Sequence, residues 1–215
     1  KVYNGEVLPP LRIQYKDYAV WQLDQLQKEL TQNQESYWLN KLKGELPVLN
    51  LRTDFPRPEV LRTEGDHVML TVGNDVKEKI QHIATQNGST LYMTLLAAYT
   101  ILLNRYTRQN DIIIGIPIAG RKHADLEKCI GVFINTLAVR NTVDTSHSFL
   151  SFLHQAKETA LEAFENQDYP FEELVEKVNI RRDTTRNPIF DTMFDFQHKE
   201  SKINLHELKI RPYHF

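Results

Sequence analysis

Apolar residues recur along this chain with two different periods, and the changes between them lay out an order of helices and strands. Residues 1–14 read as loop, with Pro9-Pro10 favouring extended backbone. Ala19, Val20, Leu23, Leu26 and Leu30 keep helical spacing. Tyr37, Trp38, Leu39 and Leu42 carry a second helical stretch, with Gly44 placed to stop it. Asp54-Phe55-Pro56-Arg57-Pro58 is a loop, because two prolines two apart deny both helix and central strand. Val68, Leu70 and Val72 alternate with His67, Met69 and Thr71, which predicts a strand. Asp75, with Glu78 three residues on, predicts a capping box for a helix lined by Val76, Ile80, Ile83 and Ala84 and ended by Asn87-Gly88. Ser89 or Thr90 then caps a helix apolar almost all round, with Leu91, Leu95, Leu96, Ala98, Tyr99, Leu102 and Leu103. Such a helix belongs in a core.

The second half repeats the alternation of element types. Asp111 to Ile118 is a β-branched run of the kind covered on both faces, and Thr136 to Val143 is a further strand. Ser146 or Ser148 starts an amphipathic helix with Phe149, Phe152, Leu153, Ala156, Ala160, Ala163 and Phe164 inward. Pro170 suits the first turn of a short helix through Val178. Phe190, Thr192, Phe194 and Phe196 have strand spacing, and Leu205 to Ile210 closes the sheet. Strands interleaved with helices predict an α/β layer structure, with Leu95, Ile113, Phe152 and Phe194 among its core.

Composition narrows the classes. With 41% hydrophobic and 25% charged residues, the 215-residue chain has the make-up of a soluble globular protein. A net charge of −2 offers no basic field for nucleic acid. One cysteine, Cys129, excludes a disulfide within the chain and suits a reducing cytosol. The apolar stretch Leu91 to Leu103 is shorter than the roughly 20 residues a bilayer demands, so no membrane partner is expected. Lys1 to Glu6 lacks an apolar core and a cleavage signature, and is not read as a signal peptide. Eight histidines are scattered without a completing Cys or carboxylate set, so no metal site is expected. No Gly-x-Ser-x-Gly elbow and no glycine-rich phosphate loop is present.

Four segments concentrate the chemistry. They are Tyr15-Lys16-Asp17-Tyr18-Ala19-Val20-Trp21, Ile130-Gly131-Val132-Phe133-Ile134-Asn135-Thr136 running on to Arg140, Asn166-Gln167-Asp168-Tyr169-Pro170-Phe171-Glu172, and Arg182-Asp183-Thr184-Thr185-Arg186-Asn187-Pro188-Ile189-Phe190. On physical grounds Asp17 suits a helix start, Asn135 a turn or a hydrogen bond to an amide, and Asp168 the entry to a helix. Arg182, Asp183 and Arg186 suit the stitching of a loop. In order and spacing the four resemble the signature motifs of the condensation domain of nonribosomal peptide synthetases. The resemblance covers nearly the whole chain. The family's His-His-x-x-x-Asp-Gly motif is missing: this sequence has no His-His pair.

The resemblance implies a lobe of the chloramphenicol acetyltransferase-like fold, a mixed sheet packed with helices. It identifies residues 1–215 as the C-terminal part of a condensation domain, without the catalytic lobe and inactive alone. It implies acyl transfer between thioesters on phosphopantetheine arms of peptidyl carrier domains, with no cofactor bound to this chain directly. Its other expected partners are the N-terminal lobe and an adjacent adenylation domain, and its place is the cytoplasm. Arg121, Asp17 and Tyr15 are expected to support the active site, and Asn135, Thr136 and Gln197 to line the substrate tunnel. Asp168, Arg182, Asp183 and Arg186 are structural. Arg121, after Gly120 at a strand end, is expected to hold the motif aspartate of the other lobe and to have little stake in this lobe's own stability. The rival readings are an epimerization-domain fragment and a non-catalytic docking module for carrier or adenylation domains.

Overall fold

The computed structural model describes residues 5, 7, 9–61, 64–178 and 183–197, without the side chain of Leu30. Among the described residues, six α-helices and two strands follow in order: α1 (Tyr15–Leu26), α2 (Glu29–Lys41), α3 (Asn74–Gln86), α4 (Leu91–Thr107), β1 (Asp111–Ile118), β2 (Asn135–Thr142), α5 (Phe149–Glu165) and α6 (Phe171–Lys177). β1 and β2 pair antiparallel from Asp111 with Thr142 to Ile118 with Asn135. Ile112, Ile113 and Ile114 are all buried although consecutive strand residues point to opposite faces. Both faces of β1 are therefore covered, as its β-branched run predicts.

Capping decides several boundaries. The Thr90 hydroxyl accepts from the Met93 amide and starts α4, and Ser148 does the same for α5 through Ser151. Pro170 is the N-cap of α6 and lies just outside its first turn. The expected capping box at Asp75 does not form. Gly73 is the N-cap of α3, with no side-chain cap, and Asp75 sits inside the first turn.

The core follows from the helices that pack on the strands. α4 and α5 pack on one another, α4 packs on β1, and α5 and α6 pack on β2. Leu96, Ile112, Ile114, Leu137 and Val139 join Trp38 and Leu42 in the largest apolar cluster. Ala97, Val143, Phe152, Leu153 and Ala156 form a second cluster. Ile113 and Phe152 are buried as expected, while Leu95 and Phe194 are half-buried and Phe149 is exposed.

Two expected strands differ. Residues 67–72 form no strand pairing with any described residue, and Val68 is 99% exposed. Alternation makes a segment suitable for a sheet, but a strand exists only where another backbone accepts its hydrogen bonds, and none of the described residues does so here. Residues 190–196 make a single parallel bridge. The Gly115 amide donates to the Thr192 carbonyl, the Phe194 amide donates to the Gly115 carbonyl, and Gly115 and Met193 are the bridge partners. The sheet is thus mixed, as expected, and narrow. Leu205 to Ile210 lies outside the described residues.

Candidate functional site

The loop that joins β1 to β2, residues 119–134, is the hub of the motif segments. Two side chains fix its path. Arg121 turns its guanidinium onto the loop itself: Nη1 donates to the carbonyls of Leu126 and Cys129 (2.8 Å to the latter), and Nη2 donates to that of Gly131 at 3.5 Å. Its guanidinium carbon lies 4.1 Å from the Phe133 ring centre, a cation–π contact. Arg121 is half-buried. The expectation that it has little stake in this lobe is therefore corrected, because three carbonyls and an aromatic ring depend on it.

The first motif closes over the same loop. The Tyr15 ring meets Phe133 edge-on at 5.3 Å between centres, and Tyr18 packs on Phe133 at 4.7 Å. A Cβ on Gly131 would lie 2.2 Å from the Tyr15 ring, so only glycine admits this closeness. Asp17 does what a helix start requires. Its Oδ2 accepts from the Gln14 amide at 2.8 Å within a capping box. Burial pushes the Tyr18 hydroxyl above its ordinary pKa, with the Asp168 carboxylate and Tyr15 adding to the rise.

Asn135 joins the second motif to the third and uses its whole amide to do so. Nδ2 donates to the carbonyls of Gln167 at 2.9 Å and Tyr169 at 2.8 Å. Oδ1 accepts from the amides of Thr136 at 2.9 Å and Phe171 at 3.0 Å. No donor or acceptor is left over for a substrate. Thr136 is held in the ladder opposite Pro117.

From the other side, Gln34 of α2 is buried and its Oε1 accepts from the amides of Asp168 and Tyr169, both at 3.0 Å. Trp38 Nε1 donates to the Asn166 carbonyl at 2.8 Å, and Lys122 Nζ meets Asp168 Oδ2 at 2.7 Å. Sequence reasoning missed Gln34 and Lys122. Neither stands in a motif, and the one hint was that Gln34 lies one turn before the inward-facing Trp38.

The fourth motif lies apart. Arg186 pairs with Asp191, whose side chain is 8% exposed, at 2.6 Å and reaches Asp183 only at 3.9 Å. Asp183 instead turns its own loop, accepting from the amide and hydroxyl of Thr185. These bonds hold its carboxyl below the usual range. Arg182 lies outside the described residues. Gln197 is exposed and its amide donates to Asp195, so the structure does not bring it to Asn135 and Thr136. Near the end of β2, Arg140 grips Asp111 by two prongs, with Nη2 at 2.6 Å and Nε at 2.9 Å. It also donates to the carbonyls of Lys41, Lys43 and Glu45.

A groove of about 500 Å3 opens between α1, α2, the hub loop and the start of α6. Trp21, Leu23, Val132 and Ile134 give it an apolar side, and Asp168, Glu172 and Glu173 an acidic one. No group of three or more His, Cys, Asp or Glu among the described residues is placed to hold a metal, and no helix among them is long and apolar enough to cross a membrane.

The condensation domain is the family whose profile matches, over residues 1–214. Bacitracin synthase 3 of Bacillus licheniformis is 51% identical over 93% of this chain and 3% of its own length. Tyrocidine synthase 3 of Brevibacillus parabrevis is 49% identical over 99% of this chain and 3% of its own. The chain thus spans a small fraction of these curated relatives. Among solved structures, the X-domain from teicoplanin biosynthesis superposes with a TM-score of 0.80 at 26% identity, over 86% of this chain and 42% of that one. A four-domain nonribosomal peptide synthetase bound to AMP and glycine gives 0.74 at 27% identity, over 76% of this chain and 12% of that one. With the family profile matched over residues 1–214 and three of the four motif segments meeting at one loop, this chain belongs to the condensation-domain family of nonribosomal peptide synthetases.

Proposed function

We propose that residues 1–215 are the C-terminal lobe of a condensation domain and supply the wall and floor of the tunnel in which a peptide bond forms. The observation that carries this reading is the position of the Ile130–Asn135 segment. Arg121 and Asn135 hold it rigid while Ile130, Val132 and Ile134 face outward, and Ile130 is 90% exposed. In the reaction an amine attacks a thioester carbonyl, the C–N bond forms, the C–S bond breaks and the thiol leaves with a proton. The base comes from the histidine motif of the other lobe, which is not in this sequence. What this lobe offers is position: a fixed floor that keeps the two reactants in line. The phosphopantetheine arms belong to the carrier domains and arrive as part of the substrates. Carrier domains, the N-terminal lobe and an adjacent adenylation domain are the partners of this reading, and the cytoplasm its setting.

Arg121 keeps a second role in this proposal. Its Nε–H and one Nη2–H make no hydrogen bond among the described residues, which leaves two donors for the motif aspartate across the cleft. Arg121→Ala is expected to cost the complete domain roughly 3–5 kcal/mol, the range for a broken buried pair, and thus more than it costs this chain alone. Equal losses in the two would contradict the cross-lobe contact.

Two carrier proteins loaded with aminoacyl groups test the function. This chain alone is expected to give dipeptide no faster than buffer, and the complete domain to turn over. Condensation by the isolated chain above background would sink the reading.

A further inference from the structure

Gln34 stands in none of the motif segments, yet it grips the turn on which the floor segment rests. It lies on α2 and is 5% exposed. Its Oε1 accepts from the amides of Asp168 and Tyr169, both at 3.0 Å, and its Nε2 donates to Asp168 Oδ2 at 3.4 Å. The amide fits only this way round. Turned over, its NH2 would meet two N–H groups and its oxygen a carboxylate. The same turn is bound by Asn135, which takes the carbonyls of Gln167 and Tyr169 and the amide of Phe171. The backbone of residues 167–171 is therefore held by two side chains, one from α2 and one from the start of β2.

Both ends of the hub loop reach this turn. Asn135 follows the loop directly and carries its far end. Near its start, Lys122 Nζ meets Asp168 Oδ2 at 2.7 Å, the oxygen that Gln34 also touches. The two ends also abut one another, since a Cβ on Gly120 would run into the Phe133 carbonyl. Lys122 and Asp168 are 45% and 48% exposed, so water can replace that pair, and exposed ion pairs contribute little. Gln34 is closed to water, and the two amides it binds have no ready substitute. α2 itself is fixed by Trp38 and Leu42 in the largest apolar cluster and by Arg140 on the Lys41 carbonyl. Position passes from α2 through Gln34 to the turn, and from the turn to both ends of the loop. We infer that Gln34 is a positioning residue for the acyl transfer, acting through Asp168 and Asn135 to set where the floor segment 130–134 stands against the reactants. This rests on the C-terminal-lobe reading above. Misplacement by about 1 Å can lower a rate about 100-fold, so such a residue governs turnover more than carrier binding.

Three variants of the complete domain test this. Gln34→Met keeps the volume and removes both donor and acceptor. Gln34→Glu keeps the acceptor and sets a second carboxylate against Asp168. Gln34→Glu with Asp168→Asn swaps donor and acceptor across the contact and leaves the total charge unchanged. Dipeptide formation from loaded carrier proteins is measured well below each variant's melting temperature, with amide hydrogen exchange as a second readout. Gln34→Met is expected to lower kcat about 10- to 100-fold while KM for each carrier stays within about twofold. Its exchange at residues 130–136 is expected to quicken about 10-fold, while that of Ile112, Ile113 and Ile114 in β1 is unchanged. Gln34→Glu is expected to follow it, and the swapped pair to regain most of the loss. A residue that only supported the fold would show neither the split between kcat and KM nor the rescue. Unchanged kcat in Gln34→Met, a loss confined to KM, no recovery in the swapped pair, or exchange quickened equally in β1 would each overturn the inference. No dipeptide from the unmodified complete domain would instead overturn the lobe reading, and the exchange pattern would still decide whether Gln34 holds the loop.

Discussion

The junction around Asn135 and the face of α1 lie on two sides of one loop and spend their residues in opposite ways. At the junction every polar group of Asn135 is matched inside the lobe, and Gln34, Trp38 and Lys122 tie down the neighbouring motif. On the face, apolar side chains stand exposed, with no described residue covering them. Motif residues expected to support an active site or line a tunnel, Asp17 and Asn135, are here internal fastening. The residues that read as ordinary core, apolar and evenly spaced, are the ones facing outward.

The comparison breaks first at its strongest fastening. Asn135→Ala strips partners from two carbonyls and two amides, and a loss of about 2–4 kcal/mol in urea melts is expected. A change near zero would mean that water serves those groups equally well. Gly115→Ala comes next, expected to cost about 1–3 kcal/mol as overpacking. Its Cβ would lie 2.5 Å from the Phe190 ring, and the parallel bridge to Met193 must shift to admit it. Normal stability there would show that residues 190–194 do not hold this position.

Arg121→Ala is expected to lose about 1–2 kcal/mol from this chain, as the Leu126, Cys129 and Gly131 carbonyls lose their shared donor and Phe133 its cation. Arg121→Lys should recover only a minor part, because an ammonium cannot present the planar fork. Full recovery by lysine would reduce the residue to a bare charge. Asp17→Ala is the mildest of the set, with about 0.5–1 kcal/mol expected from a lost capping bond and measured in the same melts. A larger loss would assign Asp17 a role beyond starting α1.

The sequence made the fold legible where one segment contains its own reason. β1 is read from its isoleucines, and α4 and α5 from Thr90 and Ser148, because a β-branched run and a cap need no distant information. Residues 67–72 carry an equally good pattern, yet pairing depends on a second backbone that the pattern does not name. The site divides in the same way. Asp17 at its helix start and the motif order were readable. The hold of Gln34 on the Asp168 and Tyr169 amides spans 134 and 135 residues of sequence, and no local signal announces it. The carbonyls that Arg121 grips were equally hidden, since backbone acceptors leave no mark on residue type.

One pair of melts tests the contrast most directly. Asn135→Ala and the double substitution Leu23→Asp with Val132→Asp are compared in this chain alone, under the same urea gradient. The account predicts a loss of about 2–4 kcal/mol for the first and less than about 0.5 kcal/mol for the second, because exposed side chains away from packing contribute little. A double variant as destabilised as Asn135→Ala would show that the α1 face is already packed within this chain, and would contradict the contrast between the junction and the face.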